Sequence, residues 1–504
     1  MPSDHLVGSR LPSCLSGIAL DPTSHISQYG HSVWRIQDGY FGGTPTAITQ
    51  TTDGYLWVRT YSGLFRFDGL RFVRWSTQSG EELPSTSANS ILGARDGSLW
   101  VGTEAGLAHL VNGRLTLYEK GWGSAPLIED TDGKIWFVHV RPGDRTRPLC
   151  QVLQGEVHCY GKEDGLDIPG SSAMTQDASG DLWVGSDRTL VRWRPDSSGS
   201  SKVYRPQTLR SQPGIFGVAA ITRAADGSVW VGIASPGKGG GLQHLINGTL
   251  KPFLAPKLNG ETLTVTALLS DHQENLWVGT LHGLYKIRGK NVDLYGTAEG
   301  LSGGVVRKIF EDREGNIWVS TSGGLDMFRD LRVKSISTRE GLNEDAVESV
   351  AAARDGGVWI GTSRLQVLEP GGVSLDIEKA PPGNQVTGLF VDRAGHLWMG
   401  IDNKLFVREG GGFRQITKRD GSPLGMIFGI AEDSDRNIWV EAKGPPSTLL
   451  RIRGLKIQEM FPAPKTPFTG KIVADPQRGI WLDSWIEIRK QRYINKHTVT
   501  SGCS

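Results

Sequence analysis

Several classes of protein are ruled out by what this chain lacks. No stretch of its 504 residues approaches the roughly 18 consecutive apolar residues of a membrane-spanning helix. A formal net charge of +2 gives no field strong enough to hold nucleic acid, and no basic run interleaved with aromatics supplies one locally. No CxxC pair, HExxH, G-x-S-x-G elbow or phosphate-cradling G-x-x-x-x-G-K is present. The 11 histidines include no i, i+4 pair with an acidic neighbour, so neither a metal nor a cofactor is expected. Long 3.6-residue periodicity is missing, and with it any extended helix. The glycine cluster GKGGG at 237–241 lies between two strand-like runs with no helix N-terminus to hold an anion, and reads as a surface loop.

Glycine, by contrast, is abundant at 67 residues, as a turn-rich all-β chain requires. Tryptophan keeps a period. Trp57, Trp100, Trp136, Trp183, Trp230, Trp277, Trp318, Trp359, Trp398, Trp439 and Trp481 recur every 36 to 47 residues inside one phrase, clearest as EDREGNIWVSTSGGL at 311–325. A period of this length marks a propeller or another stacked array. Each unit reads as a short apolar strand, a tight turn such as Glu314-Gly315 or Asp96-Gly97, the Trp strand, a two-residue link, a Gly-Leu strand and a polar outer strand. Four strands of this kind match a propeller blade. The tryptophans are expected to fill the space between neighbouring blades, each burying roughly 150–250 Å².

The expected fold is therefore all-β, a seven-bladed β-propeller followed by a partial second propeller. Residues 1–30 read as a leader whose core is interrupted by Arg10 and Pro12. Residues 31–335 read as the first ring and 336–504 as a partial ring of four blades with an atypical tail. Residues 32–36 resemble an outer strand without a blade of its own, so they are expected to pair with the outer edge of the Trp318 blade and close the ring. Cys150 and Cys159 flank a hairpin turn at Gln154-Gly155, which places them directly opposite one another. A disulfide there would suit an oxidising compartment. Cys14 and Cys503 say little.

In a four-stranded meander successive connections alternate between rims. The links after the Trp strands therefore share one rim with the inter-blade connections. The links bring Tyr61-Ser62, Glu104-Ala105, Asp187-Arg188, Leu281-His282 and Ser322-Gly323 to that rim on a constant framework, as expected where loops on a rigid scaffold carry recognition. Arg59 replaces the glycine of the Val-Gly-Thr phrase and reads either as a rim contact or as a solvated or salt-bridged arginine. The candidate ligand-binding residues are Arg59, Tyr61, Glu104, Asp187, Arg188 and His282.

The phrase D-x-x-G-x-L-W-V-G-T-x-x-G-L resembles the two-component regulator propeller repeat. The opening at 27–72 is similar to the start of the extracytoplasmic sensor region of bacterial hybrid histidine kinases, and the likeness reaches about residue 483. The resemblance implies two seven-bladed propellers, a Tyr-rich immunoglobulin-like module, a membrane span, a kinase or other output domain, and a homodimer in the full-length family. None of the later parts is found after the eleventh repeat. The expectation is a truncated, non-enzymatic, periplasmic or extracytoplasmic sensor region that binds a small molecule or glycan. The alternatives are a propeller enzyme of glycoside hydrolase or lyase type, since D-x-x-G-x-x-W distantly resembles the Asp-box of sialidase-like propellers, and a protein-interaction scaffold.

Overall fold

The computed structural model describes residues 20–500 apart from 77–82, 84–87, 104, 119–123, 140–146, 167, 169–172, 187–188, 195–200, 205–216, 332, 334, 370–371, 375–380, 382, 445–446, 463–467, 476–478, 485–490 and 495–496. Strands and short 3₁₀ turns make up the regular structure of these residues. They fall into two compact units that divide between Lys334 and Ser335.

The first unit holds seven four-stranded antiparallel sheets among its described residues. Six are plain meanders spanning 45–74, 88–117, 124–160, 173–204, 218–252 and 265–295. The seventh takes three strands from 306–329 and its fourth, Gly30–Arg35, from the start of the chain. That strand runs antiparallel to Gly324–Arg329, with Trp34 opposite Leu325 and Val33 opposite Asp326. The first strand of each sheet lies beside the first strand of the next, and the seventh lies beside the first. The closure is apolar: Phe41, Ile48, Val58 and Phe65 share a core with Trp318 and Leu325. Gln50 ties the same two sheets together, donating to Glu314 and accepting from the Arg313 amide.

Each letter of the repeated phrase has a physical task. The leading aspartate closes the turn before the Trp strand and holds the indole. Asp271 Oδ1 accepts from the amides of Gln273 and Asn275, and its Oδ2 accepts from Asn275 Nδ2 and Trp277 Nε1 at 2.7 Å. The same indole bond recurs at Asp130, Asp177, Asp312, Asp392 and Asp433. Thr51 replaces it in the first sheet. Where alanine stands at this position, the next turn of packing differs: Trp100 stacks on His109 at 3.8 Å and Trp230 on His244 at 3.9 Å. The glycine two residues after the tryptophan gives room to the following sheet, because a Cβ at Gly185, Gly232 or Gly279 would come within 2.4, 2.4 and 2.5 Å of Val218, Val265 and Val306. The threonine caps the two-residue link. Thr280 Oγ1 donates to the carbonyl of Gly283 and accepts from the amide of His282, while Gly283 takes φ +127°, a value that favours glycine.

Cys150 and Cys159 are disulfide-bonded across a hairpin whose turn residues Gln154 and Gly155 both have positive φ. Their Cα atoms are 4.0 Å apart, the close spacing of a non-hydrogen-bonded pair. Residues 20–29 form a second attachment of the N-terminal segment. The buried ammonium of Lys286 donates to the carbonyls of Pro22 and Ser24 and to the Tyr29 hydroxyl, and burial pulls its pKa down to about 8.

Among its described residues the second unit contains four sheets, at 349–374, 386–416, 426–462 and 468–500, with their first strands again in succession. The tail lacks the repeat phrase, yet it folds as part of the repeat: Gln491–Ile494 and His497–Thr500 are the last two strands of the fourth sheet. Backbone pairing, which any alternating polar and β-branched run can supply, is enough to complete a sheet without the Trp motif.

Glu441 takes the glycine position in the Trp439 sheet, where it is buried with Oε2 unpartnered. Burial raises its pKa to about 7, against a weaker attraction from Lys443. The folded state then holds a proton that the unfolded state has released between pH 4.5 and 7. Stability from this group is complete below pH 4.5 and is lost as pH rises through 7, by an amount on the order of 3 kcal/mol. Glu441→Gln is expected to remove this part of the pH dependence. Melts of the full chain from pH 4.5 to 8 test it, and identical wild-type and variant profiles would refute it.

Candidate functional site: the link rim of the first unit

Strand register places the links at one end of the first unit. Thr60 is paired with Pro45 at the start of the first strand and with Gly63 just past the link, so links and inter-sheet connections converge on the same rim. A Cβ at Gly43 would meet Tyr61 Cβ at 3.3 Å, which shows how closely the two kinds of connection pack there. Threonine caps at Thr60, Thr103, Thr280 and Thr321 close the links of the first, second, sixth and seventh sheets. Tyr61 is 59% exposed and Leu281 40% exposed, and His282 is also exposed. Glu104, Asp187 and Arg188 lie outside the described residues.

Arg59 departs from the rim reading. It is wholly buried in its strand, opposite Ala47 and Leu64, with Nη1 donating to the Gly63 carbonyl and with Nε and Nη2 unpartnered. Burial lowers its pKa, opposed by Tyr61. The physical reason lies in the position itself. At Gly185, Gly232 and Gly279 the same position faces a valine of the following sheet. In the first sheet the guanidinium of Arg59 occupies this place, held by the Gly63 carbonyl.

Next to the closing strand the rim carries a buried polar network. His31 Nε2 lies 2.8 Å from Asp326 Oδ1 and its Nδ1 lies 3.1 Å from the Tyr295 hydroxyl, with the ring stacked on Phe328. Asp326 also accepts from the amide and hydroxyl of Ser302. The aspartate sits between serine and histidine, which is not the order of a Ser-His-Asp triad, and the one hydroxyl on the histidine is the phenol of Tyr295. The network docks the 296–305 connection and the closing strand onto one side chain. Its equivalent in the second unit is Gln366, which accepts from the Asn343 amide.

Two residues outside the rim reading stand at the same end of the ring. Arg307 and Lys308 open the first strand of the seventh sheet, Lys308 opposite Ser320. The sequence signal was available: in the aligned first strands, Thr46-Ala47 and Thr266-Ala267 occupy these places. Among the described residues, no group of three or more His, Cys, Asp or Glu side chains is arranged to hold a metal.

The sequence model described as "Two component regulator propeller" matches residues 82–105 and 300–323, each ending at the link of a Trp strand. No curated protein matches the chain significantly. Among solved structures, the extracellular domain of the hybrid two component system BT3049 from B. thetaiotaomicron aligns with a TM-score of 0.65 at 19% identity, covering 94% of this chain and 67% of that one. The extracellular domain of the one component system BT4673 from the same organism aligns at 16% identity with a TM-score of 0.48, over 94% and 67%. Virginiamycin B lyase from Staphylococcus aureus aligns at 16% identity with a TM-score of 0.47, over 60% of this chain and 100% of that one. The chain is thus an all-β propeller protein carrying two-component regulator propeller repeats.

Proposed function

We propose that this chain is the ligand-sensing propeller region of a bacterial two-component signalling protein, located outside the cytoplasm, and that it binds a small molecule or glycan without transforming it. The observation that carries the reading is a division of labour within the repeat. The aspartates of the phrase, the residues that most resemble an enzymatic Asp-box, spend their oxygens on turn amides and indole N–H groups. Among the described residues, the links at the opposite end carry different exposed side chains, Tyr61 in the first sheet, Leu281 and His282 in the sixth and Ser322 in the seventh. The matched repeats and the fold shared with an extracellular two-component domain support the signalling context. The Cys150–Cys159 disulfide supports an oxidising compartment.

Thermal-shift screening of the full chain against neutral oligosaccharides, peptides and small acids tests the proposal. A ligand at 100 times its Kd stabilises the native state by about 2.7 kcal/mol. Tyr61→Ala and His282→Ala are expected to weaken the best binder at least tenfold while leaving the unliganded melt unchanged. Asp53→Ala, on the Asp-Gly rim, should leave affinity intact. Equal losses from both rims, or turnover of the bound molecule, would overturn it.

A further inference from the structure

The first strands of all seven sheets of the first unit line a central cavity of about 400 Å³. That volume lies within the roughly 300–1,000 Å³ of small-molecule sites. Most of the wall nearest the link rim is built from small residues such as Ala47, Ala219, Ala220, Thr266 and Ala267. They keep the cavity open. The seventh sheet breaks the pattern: Lys308 stands opposite Ser320 where Ala47, Ala220 and Ala267 stand opposite Arg59, Gly232 and Gly279. Arg307 is the extra residue of a bulge between Val306 and Lys308. A bulge sets two residues against one and re-aims the side chains, which lets two consecutive cations line one cavity.

Among the described residues neither side chain has an ion-pair or hydrogen-bond partner, and no carboxylate lines the cavity. Lys308 is reached by water from inside the channel yet enclosed by protein, and this desolvation lowers its pKa. Solvated surface lysines and arginines need no partner. Two cations held side by side in a confined cavity, with uncharged walls opposite, form a one-sided positive field that an anion relieves.

We propose that Arg307 and Lys308 form an anion-binding site in the channel of the first unit, which takes a small molecule of about monosaccharide size bearing a carboxylate or sulfate group. Arg307 offers a planar fork for two anion oxygens, and Lys308 a point charge beside it. The small wall residues leave space for the uncharged remainder. This site is separate from the exposed link side chains, and it does not depend on the chain's being a sensor.

Calorimetric titration of the full chain with glucuronate, glucose 6-sulfate and glucose tests the proposal. At least one of the two anions is expected to bind and glucose is not, and the stronger anion identifies the charged group. The double variant Arg307→Thr/Lys308→Ala restores the residues that the first and sixth sheets carry at these positions, so it is expected to fold. It should weaken anion binding at least tenfold and flatten the dependence of binding on added salt. Lys290→Ala, which removes a charge from a remote turn, should bind as wild type. Failure of both anions to bind, equal binding of glucose, or undiminished binding by the folded double variant would overturn the site. Tyr61→Ala and His282→Ala report on the rim alone, so failure of the channel site and failure of the rim reading are distinguishable.

Discussion

Removing residues 1–36 is expected to abolish the cooperative melt of the first unit. The seventh sheet would keep its three strands from 306–329 but expose the Gly324–Arg329 edge, whose ladder partner is Gly30–Arg35. Trp34 stacks on Trp318 at 5.3 Å and meets Phe67 and Phe72 edge-on, so its loss uncovers the junction of the seventh and first sheets as well. His31 leaves the buried Asp326 carboxylate without one of its partners, and Lys286 loses its three acceptors in the 20–29 segment. Trp34→Ala alone should cost about 3–5 kcal/mol. The truncation adds a bare strand edge and unpaired buried charges, against a typical domain stability of about 5–15 kcal/mol. A synthetic peptide spanning residues 20–36 should partly restore the melt. A truncated chain that melts like the full one would show that the strand is dispensable.

The second large effect is expected from Asp271→Ala. One carboxylate accepts from two amides of its turn, from Asn275 Nδ2 and from Trp277 Nε1, and the site is buried. Alanine strands the indole and amide donors away from water at about 1–3 kcal/mol each, so a loss of roughly 3–5 kcal/mol is expected. Trp100 provides the comparison. With Ala94 in the aspartate position its Nε1 is unpartnered, but His109 stacks over the indole at 3.8 Å, whereas the ring stacked on Trp277, that of Phe328, lies 6.3 Å away and the cross-strand neighbour is Lys286. Chemical denaturation of wild type, Asp271→Ala and Asp271→Asn is the measurement. The asparagine variant should fall between the other two, since it keeps the turn acceptor. A loss under about 1 kcal/mol for the alanine variant would mean that the turn forms without the carboxylate.

Much of the candidate site was legible because its parts are local. The Thr-x-x-Gly link is closed by a hydroxyl and a carbonyl three residues apart, so Tyr61 and His282 could be placed on the rim from spacing alone. Arg59 could not be placed this way. A substitution that reads as an exposed variant of glycine proved to be wholly buried, an outcome set by packing rather than by spacing along the chain. The same limit hid Arg307 and Lys308. Either would be an ordinary surface cation on an isolated strand, and only the meeting of seven first strands turns them into the charged side of a cavity.

The sequence by itself determined the repeat, the four-strand plan of each unit, the turn chemistry and the opposition of Cys150 to Cys159. These depend on contacts within about ten residues, and hydrogen-bond geometry at that range leaves few alternatives. The tertiary structure alone decided which buried positions carry unpaired charge, how Asp326 is shared between the closing strand and the connection before it, and how the tail completes its sheet without the phrase. Those outcomes depend on residues tens to hundreds of positions apart, where space and partners are set by the packing of one sheet on the next.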